Sequence, residues 1–266
     1  YDDEHELSLQ VIRAARDVGL RIVLLRVVYE RAGFQVPQNP RQRRFMDASV
    51  EVAMRRTADL ASRVKGDPLV SVGIAPHSVR AVSRESLVRL GREWKGTPLH
   101  MHVAEQPAEI AACQAEYKLR PVQFLAECGL LSKQFTGVHG VHVTGDEIEL
   151  MAQSGAGVCA CPSTERNLGD GVVPADEFLR AGVAVSLGSD SQAHIGHLEE
   201  AQALEGHLRL IRGRRNVLDD GSGSPNAVAA RLMECLTISG AKHLGLAVGT
   251  LAVGAPADFV TVDLRH

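Results

Sequence analysis

Six short apolar runs rich in β-branched residues recur along the chain, and segments with helical signals separate them. The runs are RIVLLRVVY (21–29), PLVSVGIAP (68–76), PLHMHVAE (98–105), TGVHGVHV (136–143), GAGVCACP (155–162) and VAVSLGSD (183–190). Each is almost continuously apolar, as parallel strands buried on both faces are. Helical signals lie in SLQVIRAARDVG, from Asp47 to about Arg63, in SRESLVRLGREWKG, from Pro107 to Cys128, in TGDEIELMAQSG and in PADEFLRAG. Ser83 with Glu85 and Ser86, and Thr144 with Asp146 and Glu147, supply capped, acidic helix starts. Gly19, Gly96, Gly129, Gly155 and Gly182 follow helices, where a left-handed cap is wanted. Strand-then-helix repetition leaves two architectures, a doubly wound sheet or a (β/α)8 barrel.

The polar residues choose between them. Tyr29, His77, His102, Glu105, His139, Ser189 and Asp190 all lie at or just past the C-terminal end of an expected strand. A barrel gathers such residues around one mouth, whereas a doubly wound sheet concentrates its site at one crevice. No G-x-G-x-x-G and no P-loop is present. The expected fold is therefore α/β, a TIM-like (β/α)8 barrel. A long helical stretch runs from Pro225 to Leu244. After it, VGTLAVGAPADFV (248–260) reads as small β elements, so the expected division is a barrel over 1–244 and a β-sandwich element over 245–266. DDGSGSPN (219–226) reads as a flexible loop.

Composition excludes other classes. A net charge of −3 gives no electrostatic case for nucleic acid or an anionic membrane. No apolar run approaches the roughly 18 residues of a membrane span. The opening YDDEHELSLQ is acidic and polar, unlike a signal peptide, and five scattered cysteines fit a reducing compartment. The expectation is a cytoplasmic homodimer with a small-molecule substrate. Cys159 and Cys161 read as packed core thiols rather than metal ligands. Arg41, Arg43 and Arg44 in RQRRF read as a solvated or subunit-contact segment.

His102, Glu105, His139 and Asp190 carry the chemistry. Taken alone, H-x-x-E reads more readily as a buried, hydrogen-bonded histidine. Histidine, glutamate, histidine and aspartate at successive strand ends suit a metal-activated water attacking a planar carbon. The ordered motifs APHSVR, LHMHVAEQ, GVHGVH, CPSTERNLGDG, GSDS and GTLAVGAPADFV resemble the amidohydrolase superfamily and, within it, the formimidoylglutamate deiminase family. The resemblance covers nearly the whole chain. It implies that His102 and Asp190 bind one Zn²⁺, that Asp190 is also the base for the hydrolytic water, and that Glu105 protonates the leaving nitrogen. It implies that His139 orients or polarises at the metal, and that Tyr29, His77 and Arg80 hold the glutamate portion of N-formimino-L-glutamate. His100 and His142 are expected in supporting or structural roles.

Two departures stand out. The first-strand H-x-H of the superfamily is absent, and Gln192 follows GSDS where that branch carries histidine. A barrel lacking its first strand exposes open edges, so a piece of a longer protein is expected over a degenerate barrel lacking two metal ligands. Two rival functions remain: a superfamily deaminase of purine-like or triazine rings, and a metal-free, non-catalytic barrel.

Overall fold

The computed structural model describes residues 5–34, 36, 39–263 and 265. Its frame is one parallel six-stranded sheet: β1 (Ile22–Val28), β2 (Val70–Pro76), β3 (Leu99–Val103), β4 (Phe135–His139), β5 (Gly157–Ala160) and β6 (Val185–Leu187). Spatial order equals sequence order throughout. A doubly wound sheet reverses its order at a switch point. This one never does, and it forms the consecutive arc of a (β/α)8 barrel. The arc runs from β1 at one edge to β6 at the other.

The helices are α1 (Glu6–Asp17), α2 (Val50–Arg63), α3 (Arg84–Glu93), α4 (Pro107–Tyr117), α5 (Pro121–Glu127), α6 (Gly145–Ser154), α7 (Pro162–Leu168), α8 (Ala175–Arg180), α9 (His197–Arg212), α10 (Ala227–Glu234) and α11 (Gly240–His243). A π-helical turn, Cys235–Ser239, joins the last two into the long stretch expected from sequence. The caps form as read. Ser83 Oγ accepts the Ser86 amide at 3.3 Å. Thr144 and Glu147 make a reciprocal capping box. Gly155 closes α6 at φ 72°. The main core lies between sheet and helices, with Phe124, Phe135, Phe178, Met101 and Met151 fully buried. A smaller cluster of Ile12, Leu60, Val64, Val70 and Val72 seats α1 and α2 on the start of β2.

Two expectations are corrected. The helical region Pro107–Cys128 is two helices, because Lys118 turns left-handed at φ 61° and Pro121 restarts the chain as the first residue of α5. The strands stop short of the apolar runs: β3 ends at Val103, β4 at His139 and β6 at Leu187, so the chemistry-bearing residues beyond them sit on turns. Over 248–260 no strand is present among the described residues, and Leu251, Val253, Phe259 and Val260 are exposed there. That tail is tied near the start of β1, where the Arg21 guanidinium donates to both carboxylate oxygens of Asp258 at 2.8 and 3.2 Å.

Candidate active site

In β3, Leu99, Met101 and Val103 are buried while His100 and His102 alternate with them and are half-buried. Period two therefore puts both histidines on the concave face. Past Val103 the chain takes a left-handed step at Ala104, φ 52°, whose carbonyl accepts the His142 amide at 2.8 Å. This step brings Glu105 round to the mouth, and its amide donates to the Glu109 carboxylate at 3.1 Å. His139, the last residue of β4, is also left-handed at φ 75° and fully buried. Asp190 follows β6 at φ 52° and is solvent-exposed.

These turns converge. His102 Nδ1 faces His139 Nε2 at 3.1 Å. Glu105 Oε1 lies 3.6 Å from the same His139 nitrogen. Donor atoms of His102, His139 and Asp190 lie within 4.8 Å of one another. Two imidazole nitrogens sharing one tetrahedral Zn²⁺ at about 2.0–2.1 Å stand roughly 3.3 Å apart, so this donor set fits a divalent cation. His139 was expected to orient or polarise; its geometry also makes it a candidate third donor. Its other nitrogen, Nδ1, meets Glu165 Oε1 at 3.2 Å, the carboxylate–histidine arrangement that fixes a ligand's ring and tautomer. Glu165 Oε1 also accepts the Cys161 amide at 2.7 Å.

Charge follows geometry. Burial first, then the neighbouring His139 and Arg80 charges, lowers His102 to about 4 against the pull of Asp190. Burial, His102 and Arg80 likewise take His77 to about 4. Neutral imidazoles are what a metal requires. For His139 burial is the largest influence and pushes down, but the Glu165 hydrogen bond and the charges of Glu105, Glu165 and Asp190 together raise it. Glu105 is raised, chiefly by burial and further by Asp170 and Asp190, with His139 and Arg80 opposing. A carboxyl held above its ordinary range is suited to carrying a proton.

The remaining expected residues gather on the β1 and β2 side. The Tyr29 ring lies 4.7 Å from that of His77, which lies 5.1 Å from that of His102. Arg80 is half-buried in the turn after β2, and its Nε is buried without a hydrogen-bond partner among the described residues. Its charge acts on His77, His102, Glu105 and Glu109.

The supporting histidines behave as read. His100 Nε2 contacts the His243 carbonyl at 2.9 Å, and His243 Nδ1 contacts Ser186 Oγ at 2.7 Å. His142 Nε2 contacts the Asp170 carbonyl at 2.7 Å. All five cysteines are free thiols. Cys161 is buried, with its sulfur within 4.8 Å of donor atoms on His139 and Glu165. In RQRRF, Arg43 and Arg44 sit on a 3₁₀ turn, Arg43–Phe45, with no buried residue, and Arg41 precedes it, exposed. It is Gln42 that reaches the site, its amide donating to the Tyr29 hydroxyl at 3.2 Å. Sequence reasoning missed Gln42, Glu109 and Glu165. The two glutamates had a signal: each lies four residues after a strand-end residue, Glu105 or Cys161, one helical turn on.

Comparison with known proteins gives the family and supports the fold. Residues 2–266 match the amidohydrolase family. Formimidoylglutamate deiminase of Pseudomonas aeruginosa is 37% identical over 270 residues, covering 99% of this chain and 58% of that protein. The crystal structure of an amidohydrolase from Brucella melitensis superposes with TM-score 0.82 at 35% identity, over 88% of this chain and 51% of that one. A zinc-bound adenosine deaminase from Xanthomonas campestris superposes with TM-score 0.77 at 25% identity, over 92% and 53%. This chain thus spans little more than half the length of these relatives. It belongs to the amidohydrolase family.

Proposed function

We propose that the protein to which this chain belongs hydrolyses the formimino group of N-formimino-L-glutamate, giving N-formyl-L-glutamate and ammonia. The water's oxygen ends on the formimino carbon, and the C–N bond to the terminal nitrogen breaks. One divalent metal, zinc in this reading, would be held by His102 and Asp190 with His139 beside them, and would acidify the attacking water. Asp190 takes the proton the water gives up. Glu105, 3.6 Å from His139, hands a proton to the departing nitrogen. Glu165 holds the His139 ring through Nδ1. Tyr29, His77 and Arg80 form the wall that holds the glutamate portion. The 1–244 segment is the barrel part, and 245–266 the beginning of a flanking β element.

The buried, unpartnered Nε of Arg80 carries this reading. A guanidinium presents a planar fork that a carboxylate fills with two hydrogen bonds, and an acidic substrate would satisfy that atom. The deiminase relative supports the same choice. The rival, a ring deaminase, has in its favour the adenosine deaminase neighbour and the Tyr29–His77 aromatic wall. Arg80→Met in the full-length protein decides between them. It should raise KM for N-formimino-L-glutamate and cut kcat/KM by roughly 30- to 5000-fold, the equivalent of about 2–5 kcal/mol for leaving a buried charge unpaired. Arg80→Lys should recover only part, and turnover of a neutral formimino compound should stay unchanged. Normal handling of the glutamate derivative by the Met variant would move the ring deaminase ahead.

A further inference from the structure

Asp190 is the most precariously held of the proposed metal-site residues. It is solvent-exposed, lies beyond the last residue of β6, and sits in the left-handed region at φ 52°. Nothing in its own loop explains why that backbone keeps one geometry. Ala193, His194 and Ile195, which follow it, are exposed as well.

The explanation comes from another element. Thr164 lies in the first turn of α7 and is 0% exposed. Its hydroxyl donates to the Ser189 carbonyl at 2.7 Å. It accepts the Ser191 amide at 3.1 Å and meets the Ser191 hydroxyl at 2.8 Å. A threonine hydroxyl has one proton and two lone pairs, and all three are spent on the two residues flanking Asp190. The turn that carries Thr164 is itself anchored. The Ser163 amide donates to the buried Glu200 of α9 at 2.9 Å, and the Ser163 hydroxyl donates to the other Glu200 oxygen. The next residue, Glu165, holds His139. One turn of α7 therefore touches the supports of two metal-site residues that come from β4 and from the end of β6.

We propose that Thr164 is a positioning residue that clamps the backbone on both sides of Asp190 and so fixes the carboxylate at the metal position. This rests on the reading of Asp190 as ligand and base, and it holds whatever the substrate is. Thr164 touches neither substrate nor metal. Valine is nearly isosteric but lacks all three bonds, whereas serine keeps them. Under this proposal the two substitutions behave oppositely.

The test uses the full-length protein, its Thr164→Val and Thr164→Ser variants, and three readouts. By hydrogen exchange, the Ser191 amide should be protected in the parent and in the Ser variant, and should exchange about three- to tenfold faster in the Val variant, the factor one lost hydrogen bond carries. By chelator competition, zinc affinity should fall at least tenfold in the Val variant and stay within about threefold of the parent in the Ser variant. Second-contact partners of metal ligands typically cost 10–100-fold on removal. With N-formimino-L-glutamate, kcat should fall toward the roughly 10²-fold that misplacing a reacting group costs, while KM stays within about threefold. A Val variant with parental exchange and zinc affinity overturns the proposal. So does a Ser variant that fails as badly as Val, and so does an unprotected Ser191 amide in the parent, a result that needs no variant. If the parent ignores formimino compounds, the substrate reading falls while exchange and zinc binding still decide the role of Thr164.

Discussion

Glu109 is the most informative stability probe beside the site. Its side chain is 1% exposed, one oxygen accepts the Glu105 amide at 3.1 Å, and the other, Oε1, has no hydrogen-bond partner among the described residues. Burial pushes its carboxyl from 4.5 up to about 7, against the opposing charge of Arg80 and the amides of Glu105 and Ala104. The sign follows directly. Folding raises this group's pKa, so its favourable contribution is present below the unfolded value and is lost as pH rises through the folded one. A rise from 4.5 to about 7 corresponds to about 3 kcal/mol at 1.36 kcal/mol per pKa unit. Glu109→Gln keeps an oxygen for the Glu105 amide and removes the titration. Relative to the parent, the variant should therefore gain stability between about pH 4.5 and pH 8, by up to ~3 kcal/mol. At about 2–4 °C per kcal/mol for domains somewhat below this size, the Tm difference between variant and parent should move upward by roughly 6–12 °C over that window. Thermal unfolding of both proteins at both pH values reads it. A flat difference, or a variant that loses more at pH 8 than at pH 5, would refute the reasoning. It would mean that Glu109 stays ionised as the counter-ion of Arg80 and that burial does not dominate.

Two further outcomes test the chemistry and the frame. Glu105→Gln should keep its metal content, read by elemental analysis, and lose about 10²–10⁴ in turnover; a rate within a few-fold of the parent would remove Glu105 from the mechanism. In the buried ion pair, Arg26 donates to both oxygens of Asp47 at 2.9 and 2.8 Å. Asp47→Ala, which removes the carboxylate that accepts two hydrogen bonds from that buried guanidinium, should cost about 3–5 kcal/mol in urea unfolding, and the Arg26→Met, Asp47→Leu double variant should recover much of it.

The strand frame was legible because its signal is redundant. Each of the six apolar runs carries one strand, in sequence order, with β4 beginning one residue early at Phe135, and a parallel sheet buried on both faces leaves little freedom in composition. The site residues were legible for a related reason. A strand's C-terminal end is where the ladder stops and a side chain can turn to the mouth; His77, His139 and Asp190 stand at or within three residues past such ends, and His102 one residue before one. Less legible was everything that depends on contact between distant segments. Glu165 sits under His139, from 26 residues on. Gln42 reaches Tyr29 from the arginine cluster, where charge drew the eye to the wrong residues. The tail over 248–260 shows the same limit. Its glycine-punctuated apolar pattern is a genuine strand pattern, but a strand needs a partner to pair with, and a one-dimensional pattern cannot say whether one is within reach.

Backbone strain marks the site in a way the sequence conceals. Non-glycine residues with left-handed φ are uncommon, each costing of order 1–3 kcal/mol, and they persist only where the surroundings over-determine them. In this chain Ala104, His139, Asp190 and Gln192 are four of them, and each stands at or just beyond the end of β3, β4 or β6. A glycine would adopt such a turn freely and announce it in the sequence. Alanine, histidine and aspartate do not announce it, so the turns could be known only from the structure. At each of the first three, contacts supply the over-determination. The Ala104 carbonyl takes the His142 amide, and the amide of the next residue goes to Glu109. His139 is gripped at the ring by Glu165, and the amide of the next residue goes to the Val103 carbonyl. Asp190 has the Thr164 hydroxyl on both sides. At each turn a buried or half-buried group from a neighbouring segment offsets the cost of aiming a side chain at the shared mouth. In the proposed site, the residues that do the aiming, Glu109, Glu165 and Thr164, would bear on function as directly as those they aim, although only their neighbours carry a recognisable motif.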